Sequence, residues 1–374
     1  MDQTRRTFLR LSAAGGAAGV LAYAGHGQDA GKPPPTETGA EFITPETQAA
    51  IEKGLAFLSR NQADDGSYEH RSSGSAVGIT ALAGLALMSG GHQPGRGRYG
   101  RNVSRCVDFV RAAGTNGTPG YLTTDAQPGF RGQNSLAMYS HGFGCLFLSE
   151  VCGMLPDKAR QKKVKDVLEQ AVAYTVDSRN KEGGWRYEAK PPLADVSVTV
   201  AQMMALRAAK NAGVFVRKNV IDDGVAYIRG CQLSDGGFSY WKGQGYSSAF
   251  ARSAAAIVGL YSAGIYSGRE IDRGLRYIQQ FRPVRQSNFR ELPPLPLHYF
   301  YGHYYAALAM WTAGGDFWSQ WFPAIRDQLL LLSKARTDGS WSENNGTTTS
   351  PAYATAMSLI ILQLPNNYLP ILQK

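Results

Sequence analysis

The segment Asp195-Val196-Ser197-Val198-Thr199 is the place in the chain that points most clearly to acid–base chemistry. Asp195 puts a carboxylate one turn before an apolar run, where it either caps a helix or serves as a ligand or catalytic group. His141 and His303 open two other apolar runs. Together these three candidate catalytic residues could form a His/Asp acid–base site. The alternative for each histidine is a core residue whose ring bonds to a neighbouring hydroxyl or carbonyl.

The cysteines do not indicate a metal site or a disulfide framework. Cys106, Cys145, Cys152 and Cys231 form no CxxC pair. Cys145 and Cys152 are seven residues apart on one predicted helix, roughly 10 Å along its axis, which is too far for a disulfide. We therefore expect buried free thiols, with no metal and no other cofactor.

The charge of the chain gives little support for a nucleic-acid partner. The formal net charge is +10, and charged residues make up only 18% of the sequence. Beyond the N-terminal segment, no run of Lys and Arg is interleaved with aromatic residues. The densest basic cluster lies in a Gly-rich loop, which we interpret as solvated, at Arg96, Arg98, Arg101 and Arg105. We expect no nucleic-acid partner.

A recurring turn organises the chain after residue 45. Each copy joins glycine to an aromatic residue, as in Asp65-Gly66-Ser67-Tyr68 and Asp338-Gly339-Ser340-Trp341, with a degenerate copy near Phe289. The aromatic positions are 68, 121, 185, 238, 289 and 341, at intervals of 53, 64, 53, 51 and 52 residues. Six copies at nearly constant spacing indicate a repeat architecture.

Each turn is followed by an Ala- and Leu-rich segment that opens with a polar residue, at 80–87, 141–148, 199–206, 253–260, 303–310 and 355–362. Such segments are apolar nearly all round, as buried helices are. The preceding helices, including 52–62 and 163–179, carry the charges. One helix pair cannot bury its apolar face alone. The sequence therefore predicts an all-α fold, an (α/α)6 toroid of six helix-pair repeats over residues 45–374.

The turns resemble a known family. Gln62-Ala63-Asp64-Asp65-Gly66-Ser67-Tyr68 and the segment from Gln232 to Phe238 look like the Q-x-x-D-G-x-W repeats of squalene cyclases. The chain thus resembles the terpenoid cyclase and protein prenyltransferase superfamily, which includes the prenyltransferase and squalene-cyclase repeat proteins, over roughly residues 45–365. In the motif we expect glycine to permit the turn, aspartate to cap a helix and the aromatic ring to pack between repeats.

The resemblance also implies where a site would lie, because in that superfamily the inner helices begin around a central cavity. Asp195, His141 and His303 then lie near that cavity. The other residues that the resemblance places there are candidate ligand-binding residues: Tyr139, Ser197, Thr199, Arg252, Tyr301, Tyr304 and Thr355. Packing between repeats is the alternative role for the aromatic members.

The known catalytic motifs of the superfamily are missing from this chain. Squalene–hopene cyclases carry D-x-D-D-T where this chain has Asp195 to Thr199, so Ser197 stands at the protonating position. An alcohol cannot protonate an isolated alkene. The prenyltransferase zinc site would need a cysteine at Ser197, and His303 is shifted by about one residue. Neither a D-D-x-x-D cluster nor a G-C-G-E-Q thioester motif is present.

These departures favour a protein that binds an apolar or amphiphilic small molecule, or a partner protein, in a central cavity without turnover. Two enzyme alternatives stay open. One is an enzyme acting on an isoprenoid-like substrate, with aromatic rings stabilising cations. The other is a polysaccharide lyase-like toroid enzyme, using a base such as His303 or Tyr301 together with an arginine.

The N-terminus resembles a twin-arginine export signal, with Arg5-Arg6 followed by Phe8 and an apolar run over residues 11–24. We expect a signal peptide over residues 1–24, cleaved after Ala24, then a flexible linker over 25–44. These features predict export to the periplasm or elsewhere outside the cytoplasmic membrane. Membrane attachment is expected only if the signal stays uncleaved.

Overall fold

Twelve α-helices account for most of the described structure. The computed structural model describes residues 39–68, 76–124, 136–243, 247–284, 286, 288, 294–342 and 350–373. The expected signal peptide, the linker up to residue 38 and the degenerate turn near Phe289 lie outside the described residues. In chain order the helices are α1 Pro45–Arg60, α2 Ala76–Ser89, α3 Gly100–Ala113, α4 Ala137–Val151, α5 Lys158–Ser178, α6 Val196–Asn211, α7 Lys218–Gly230, α8 Phe250–Ser262, α9 Arg269–Gln279, α10 Tyr299–Ala313, α11 Gly315–Ser333 and α12 Pro351–Gln363.

The even-numbered helices form an inner layer and the odd-numbered helices an outer one. Every residue of α2 is buried, so this helix has no solvent-facing side. In contrast, α9 buries Ile271, Leu275 and Ile278 on one face and carries its charges on the other. This difference follows from their composition, since a helix that is apolar all round is stable only when covered on all sides.

The inner helices form a closed ring. They pack in the order α2, α4, α6, α8, α10 and α12, and α12 packs back against α2. Outer helix α1 packs against α12, which joins the last repeat to the first. The predicted all-α toroid of six helix pairs is confirmed.

Glycine lets each turn lie directly against the next outer helix. Gly236 has a φ of 93°, and a Cβ atom built there would lie 2.5 Å from the carbonyl oxygen of Arg273 on α9. Gly339, in the last turn, would meet the carbonyl oxygen of Lys53 on α1 at 2.7 Å. Only glycine combines this backbone conformation with this contact. The turns therefore connect neighbouring repeats and close the ring.

The glutamine and aspartate of the motif also hold the turns. Gln62 Nε2 donates to the carbonyl oxygen of Gly66 at 3.0 Å and to that of Asn102 on α3 at 3.1 Å. The expectation that aspartate caps a helix is wrong. Asp65 Oδ1 instead accepts from the Ser67 N–H at 3.0 Å, inside the turn, because an aspartate bonds readily to a backbone N–H two residues on.

The C-terminal segment lies against the inner layer. The short 3-10 helix Pro370–Leu372 packs on α6. The Ile371 N–H donates to Oε2 of Glu150, a buried residue in the last turn of α4, at 3.3 Å. The carboxyl ends of these inner helices are thus covered by the chain itself. Among the described helices, none has both the length and the apolar character needed to cross a membrane.

Candidate functional site

The polar residues that open the inner helices hold the glycine-aromatic turns. Thr199 Oγ1 accepts a hydrogen bond from the Trp185 N–H at 3.0 Å, and Thr355 Oγ1 accepts one from the Trp341 N–H at 3.0 Å. Thr80 and Ser253 make the same bond with Tyr68 and Phe238, at 3.2 and 2.8 Å. The side chains of Thr199 and Thr355 therefore face the turns of their own repeats.

His141 has this turn-holding role in the second repeat. Its Nδ1 accepts from the Leu122 N–H at 3.2 Å, and its Nε2 lies 2.8 Å from Thr175 Oγ1. Thr175 Oγ1 donates to the Ala171 carbonyl oxygen, so it must accept from Nε2–H. The imidazole is thus neutral with both nitrogens occupied. Burial lowers its pKa to about 3, which agrees with that state.

His303 occupies the corresponding position in α10 and lies among aromatic rings. Its ring centroid is 4.4 Å from that of Tyr299, 5.0 Å from Phe250 and 5.8 Å from Trp321. Its Nδ1 makes no hydrogen bond within the part of the chain that the structure describes. Burial lowers its pKa to about 3. His303 is therefore buried in an aromatic cluster, where the neutral form of the imidazole is favoured.

Asp195 is the N-cap of α6 and is only 1% exposed. Its Oδ1 accepts from the N–H groups of Ser197 and Val198, at 2.6 and 3.2 Å. Its Oδ2 accepts from Tyr187 Oη at 3.2 Å. The carboxylate thus serves as a helix cap and also ends a chain of phenols.

That chain continues to the next repeat. Tyr240 Oη lies 2.6 Å from Tyr187 Oη. Burial raises the pKa of Asp195, while hydrogen bonds from Tyr240, Val198, Ser197 and Tyr187 oppose the rise. Asp195 is consequently a shielded carboxyl group with a higher affinity for protons than a solvated aspartate.

Residues two positions before the turn-holding residues face the axis of the ring. Tyr139 on α4 and Tyr301 on α10 belong to opposite helices, yet their ring centroids are 6.3 Å apart. One turn deeper, Phe143 and Tyr304 come within 6.4 Å across the same axis. The central cavity expected from the sequence is thus crossed by side chains at both levels. Tyr304 is buried within this aromatic layer.

Two arginines lie near the phenols that lead to Asp195. Arg252 Nε donates to the Phe238 carbonyl oxygen at 2.9 Å, and its guanidinium also bonds to the Ser247 carbonyl oxygen. Arg252 therefore holds a loop. The guanidinium carbon of Arg186 lies 5.5 Å from the ring centroid of Tyr187, 5.6 Å from Tyr240 and 5.3 Å from Trp241.

The structure brings part of the expected set together at one end of the ring, around the N-terminal ends of the inner helices. We call this site the mouth and define it by Asp195, Ser197, Tyr139, Tyr301, Tyr187, Tyr240, Trp241 and Arg186. Ser197 lies close to the phenols of Tyr139 and Tyr301. Neither histidine bonds to Asp195 in the described residues, so no His/Asp pair forms there.

The sequence analysis missed Tyr187, Tyr240, Trp241 and Arg186. A detectable pattern pointed to the two tyrosines, since each stands two residues after a turn aromatic, Trp185 or Phe238. The repeat register therefore continues past the turn and carries both side chains to the mouth.

Two cavities lie away from the mouth. A groove of about 690 Å³ runs along the outer wall between α5 and the start of α7, with Val176 and Phe215 in its lining. A small cavity of about 40 Å³ lies at the carboxyl ends of the inner helices, beside Ile371. Neither is lined by a mouth residue. In the described residues no group of three His, Cys, Asp or Glu side chains could hold a metal ion.

Comparison with known proteins gives similarity of fold alone. No family model and no curated protein matches the sequence. The type II terpene cyclase MstE from Scytonema is 13% identical, with a TM-score of 0.53, over 87% of this chain and 100% of that one. Cellobiose 2-epimerase from Bacillus thermoamylovorans is 11% identical, with a TM-score of 0.57, over 88% and 100%. An inactive α-1,6-mannanase variant from Salegentibacter is 9% identical, with a TM-score of 0.55, over 86% and 99%. The α/α toroid is thus shared with enzymes of different chemistry.

Proposed function

We propose that this protein binds an apolar or amphiphilic small molecule at the mouth of its toroid without converting it. The observation that carries the proposal is the convergence of phenol rings from successive repeats around Asp195. Tyr139 approaches Tyr187 to 6.2 Å and Tyr301 to 6.3 Å, while Tyr187 bonds to Tyr240. Aromatic faces with a few placed polar groups are typical of small-molecule sites.

The way in which the acid–base candidates are engaged supports the proposed absence of turnover. Both nitrogens of His141 hold a turn and a helix, and His303 is enclosed by aromatic rings. One oxygen of Asp195 caps α6. To act as a base, His141 would have to break a structural hydrogen bond and His303 would have to leave its aromatic cluster.

The aromatic layer limits how deep a ligand would lie. The contact between Tyr139 and Tyr301 spans the axis, so a ligand would rest on these rings instead of entering the barrel. Contact with ring faces would supply most of the binding free energy, since aromatic side chains bury large apolar areas. The phenol hydroxyls would set the orientation of a polar headgroup.

We also propose descent from the terpenoid cyclase and prenyltransferase superfamily. The Gln62 and Gln232 motifs and the similarity to MstE support it. MstE variants have been solved with geranylgeranyl dihydroxybenzoate as substrate, so that toroid takes a prenylated ligand. Because the fold is also similar to that of cellobiose 2-epimerase, a glycan should be tested as an alternative ligand.

Calorimetric titration with farnesol, dodecanol and cellobiose tests the proposal. We expect binding of the two amphiphilic alcohols and none of the disaccharide, with farnesol recovered unchanged by mass spectrometry. Tyr240→Ala should weaken binding about tenfold, which corresponds to about 1.4 kcal/mol. Tyr266→Ala, an exposed tyrosine after α8, is the matched control and should bind normally. Binding of cellobiose alone, or no binding at all, would refute the proposal.

The second candidate function is acid–base catalysis on an isoprenoid or carbohydrate substrate. It is favoured by the buried carboxyl of Asp195 and its hydrogen bond from Tyr187. Asp195→Asn keeps the cap acceptor and removes the acid. If a substrate is converted by the wild type and only bound by this variant, the catalytic function is correct.

We further propose that the protein acts outside the cytoplasmic membrane, on the basis of Arg5-Arg6 and the apolar run that follows. Replacing both arginines with lysine should leave the full-length chain in the cytoplasm of its host. Immunoblots of periplasmic and cytoplasmic fractions measure this. Equal distribution of wild type and variant would exclude the twin-arginine route.

A further inference from the structure

Arg186 has an unusual environment for a charged side chain. It is half-buried, and its guanidinium lies over three aromatic rings at 5.3 to 5.6 Å. Cation–π contact engages the face of the guanidinium. In the part of the chain that the structure describes, Arg186 makes no ion pair and no hydrogen bond. Its five N–H donors, which lie in the guanidinium plane, are left available.

The rings that hold Arg186 belong to the mouth. Tyr187 and Tyr240 are the two phenols that lead to Asp195. The nearby Arg252 donates from Nε and Nη2 to the carbonyl oxygens of Phe238 and Ser247, so two of its donors hold the loop. Within the described residues of this cluster, Arg186 is the guanidinium that makes no hydrogen bond to the protein.

A guanidinium held in this way matches one ligand chemistry. Its planar fork fits the two oxygens of a carboxylate or phosphate, and such charge-assisted bonds are stronger than neutral ones. The three rings restrict the rotation of the side chain and exclude part of its water, which lowers the cost of ordering it on binding.

We propose that Arg186 is a binding residue for the terminal oxyanion of an amphiphilic ligand, whose apolar chain lies on the rings of Tyr139 and Tyr301. This inference rests on the proposed function, because it names the headgroup of the ligand bound at the same mouth. The ligand class is a long-chain carboxylate or phosphate monoester.

Titration calorimetry with dodecanoate, dodecyl phosphate and dodecanol tests the assignment. The three probes share one chain, and the two anions separate a carboxylate source from a phosphate source. For the wild type we expect at least one anion to bind about tenfold more tightly than the alcohol, the ratio for a charge-assisted bond worth about 1.4 kcal/mol. This preference should decrease as the NaCl concentration rises.

Variants assign the preference to Arg186. Arg186→Gln should bind the anions and the alcohol with equal affinity, because the charge-assisted bond to the anion is lost. Arg186→Lys keeps the charge without the fork and should retain only part of the preference. Arg98→Gln is the matched control, since Arg98 lies over the Tyr99 ring at 5.4 Å in the loop before α3, and it should keep the full preference.

Each outcome has a distinct meaning. If dodecanol and both anions bind the wild type equally, the oxyanion assignment is overturned and the proposed function stands. The oxyanion assignment is also overturned, and the proposed function stands, if Arg186→Gln still binds an anion more tightly than dodecanol. If no probe binds, both fail.

Discussion

Side chains that the sequence analysis took as candidates for catalysis or ligand binding have structural roles here. Thr199, His141 and Thr355 accept backbone hydrogen bonds from turns, and Asp195 caps α6. An acceptor at a helix start serves equally well for holding a turn or for catalysis, and sequence alone cannot separate the two. The two roles are distinguished only by the atoms to which each side chain is hydrogen-bonded in the structure. These atoms show that the histidines and Asp195 belong to separate arrangements.

The buried histidines should make the protein sensitive to acid. His141 has a folded-state pKa of about 3, below the ordinary value of 6.5. Between these values the unfolded chain binds a proton that the folded chain does not, so stability is lost as pH falls below 6.5. The loss is up to about 1.4 kcal/mol per pH unit for each such histidine.

Urea unfolding at pH 7 and pH 5 measures this effect. The stability lost between the two pH values should be smaller in His141→Gln than in the wild type, because one titrating group is gone. The comparison uses the change with pH, so a general destabilisation of the variant cancels. An identical pH dependence of the two proteins would contradict the neutral assignment of His141.

Asp195 should act in the opposite direction. Burial raises its folded-state pKa, so the folded chain binds the proton more tightly than the unfolded chain. This contribution to stability is present at acid pH and is lost as pH rises through the folded-state pKa. Asp195→Asn does not titrate and can still accept from the N–H of Ser197.

The unfolding free energy of the wild type minus that of Asp195→Asn should therefore decrease from pH 4 to pH 7. The expected change is about 1.4 kcal/mol for each unit by which the pKa is raised. Asp195→Ala, which removes the cap, is the control and should lose about 1 kcal/mol relative to Asp195→Asn at either pH. If the unfolding free energy of the wild type minus that of Asp195→Asn instead increases with pH, the ionised carboxylate stabilises the fold and the prediction is wrong.

At the scale of elements, helix geometry explains which predicted residues reach the mouth. Successive residues are rotated by about 100° on a helix of 3.6 residues per turn. A residue two positions before a turn-holding residue is thus rotated by about 200° and faces the opposite way. Thr199 faces its turn, whereas Ser197 lies close to Tyr139 and Tyr301. The sequence analysis took both positions as cavity residues, because the sequence alone does not show which side of the helix faces the axis.

Glycine at the turns gives a prediction at the same scale. Gly236→Ala places a Cβ atom 2.5 Å from the Arg273 carbonyl oxygen and keeps a strained positive φ. The matched control is Gly213→Ala, where φ is also positive but nothing lies within 4 Å. The control should cost about 1–2 kcal/mol for the backbone conformation alone. Gly236→Ala should cost more by at least about 1 kcal/mol, since backbone must move.

Thermal and urea unfolding of the two variants provide the comparison. Equal losses of stability would show that close packing of the turn on α9 is unimportant. That result would remove the physical reason given for glycine in the repeated motif.

At the scale of the whole molecule, the ring was predictable and the site only partly so. The turns and the apolar helices repeat in one register, so the sequence predicted the closed toroid. The filling of the axis was not predictable, because the contact that spans it joins Tyr139 and Tyr301, which are 162 residues apart in sequence. Whether these two side chains meet depends on the diameter of the ring of helices, and no local sequence pattern determines that diameter. Arg186 was missed for a similar reason, because two of the rings that it contacts, Tyr240 and Trp241, belong to the next repeat.

Native mass spectrometry of the protein isolated from its own host tests most directly whether the mouth holds a ligand without turnover. We expect the 40.5 kDa chain, less any cleaved signal, to carry one small amphiphile. The added mass should disappear on denaturation, and Tyr240→Ala should retain less of it. The result that would contradict the account is a wild-type chain that carries no added mass and that converts the host lipid extract into new products.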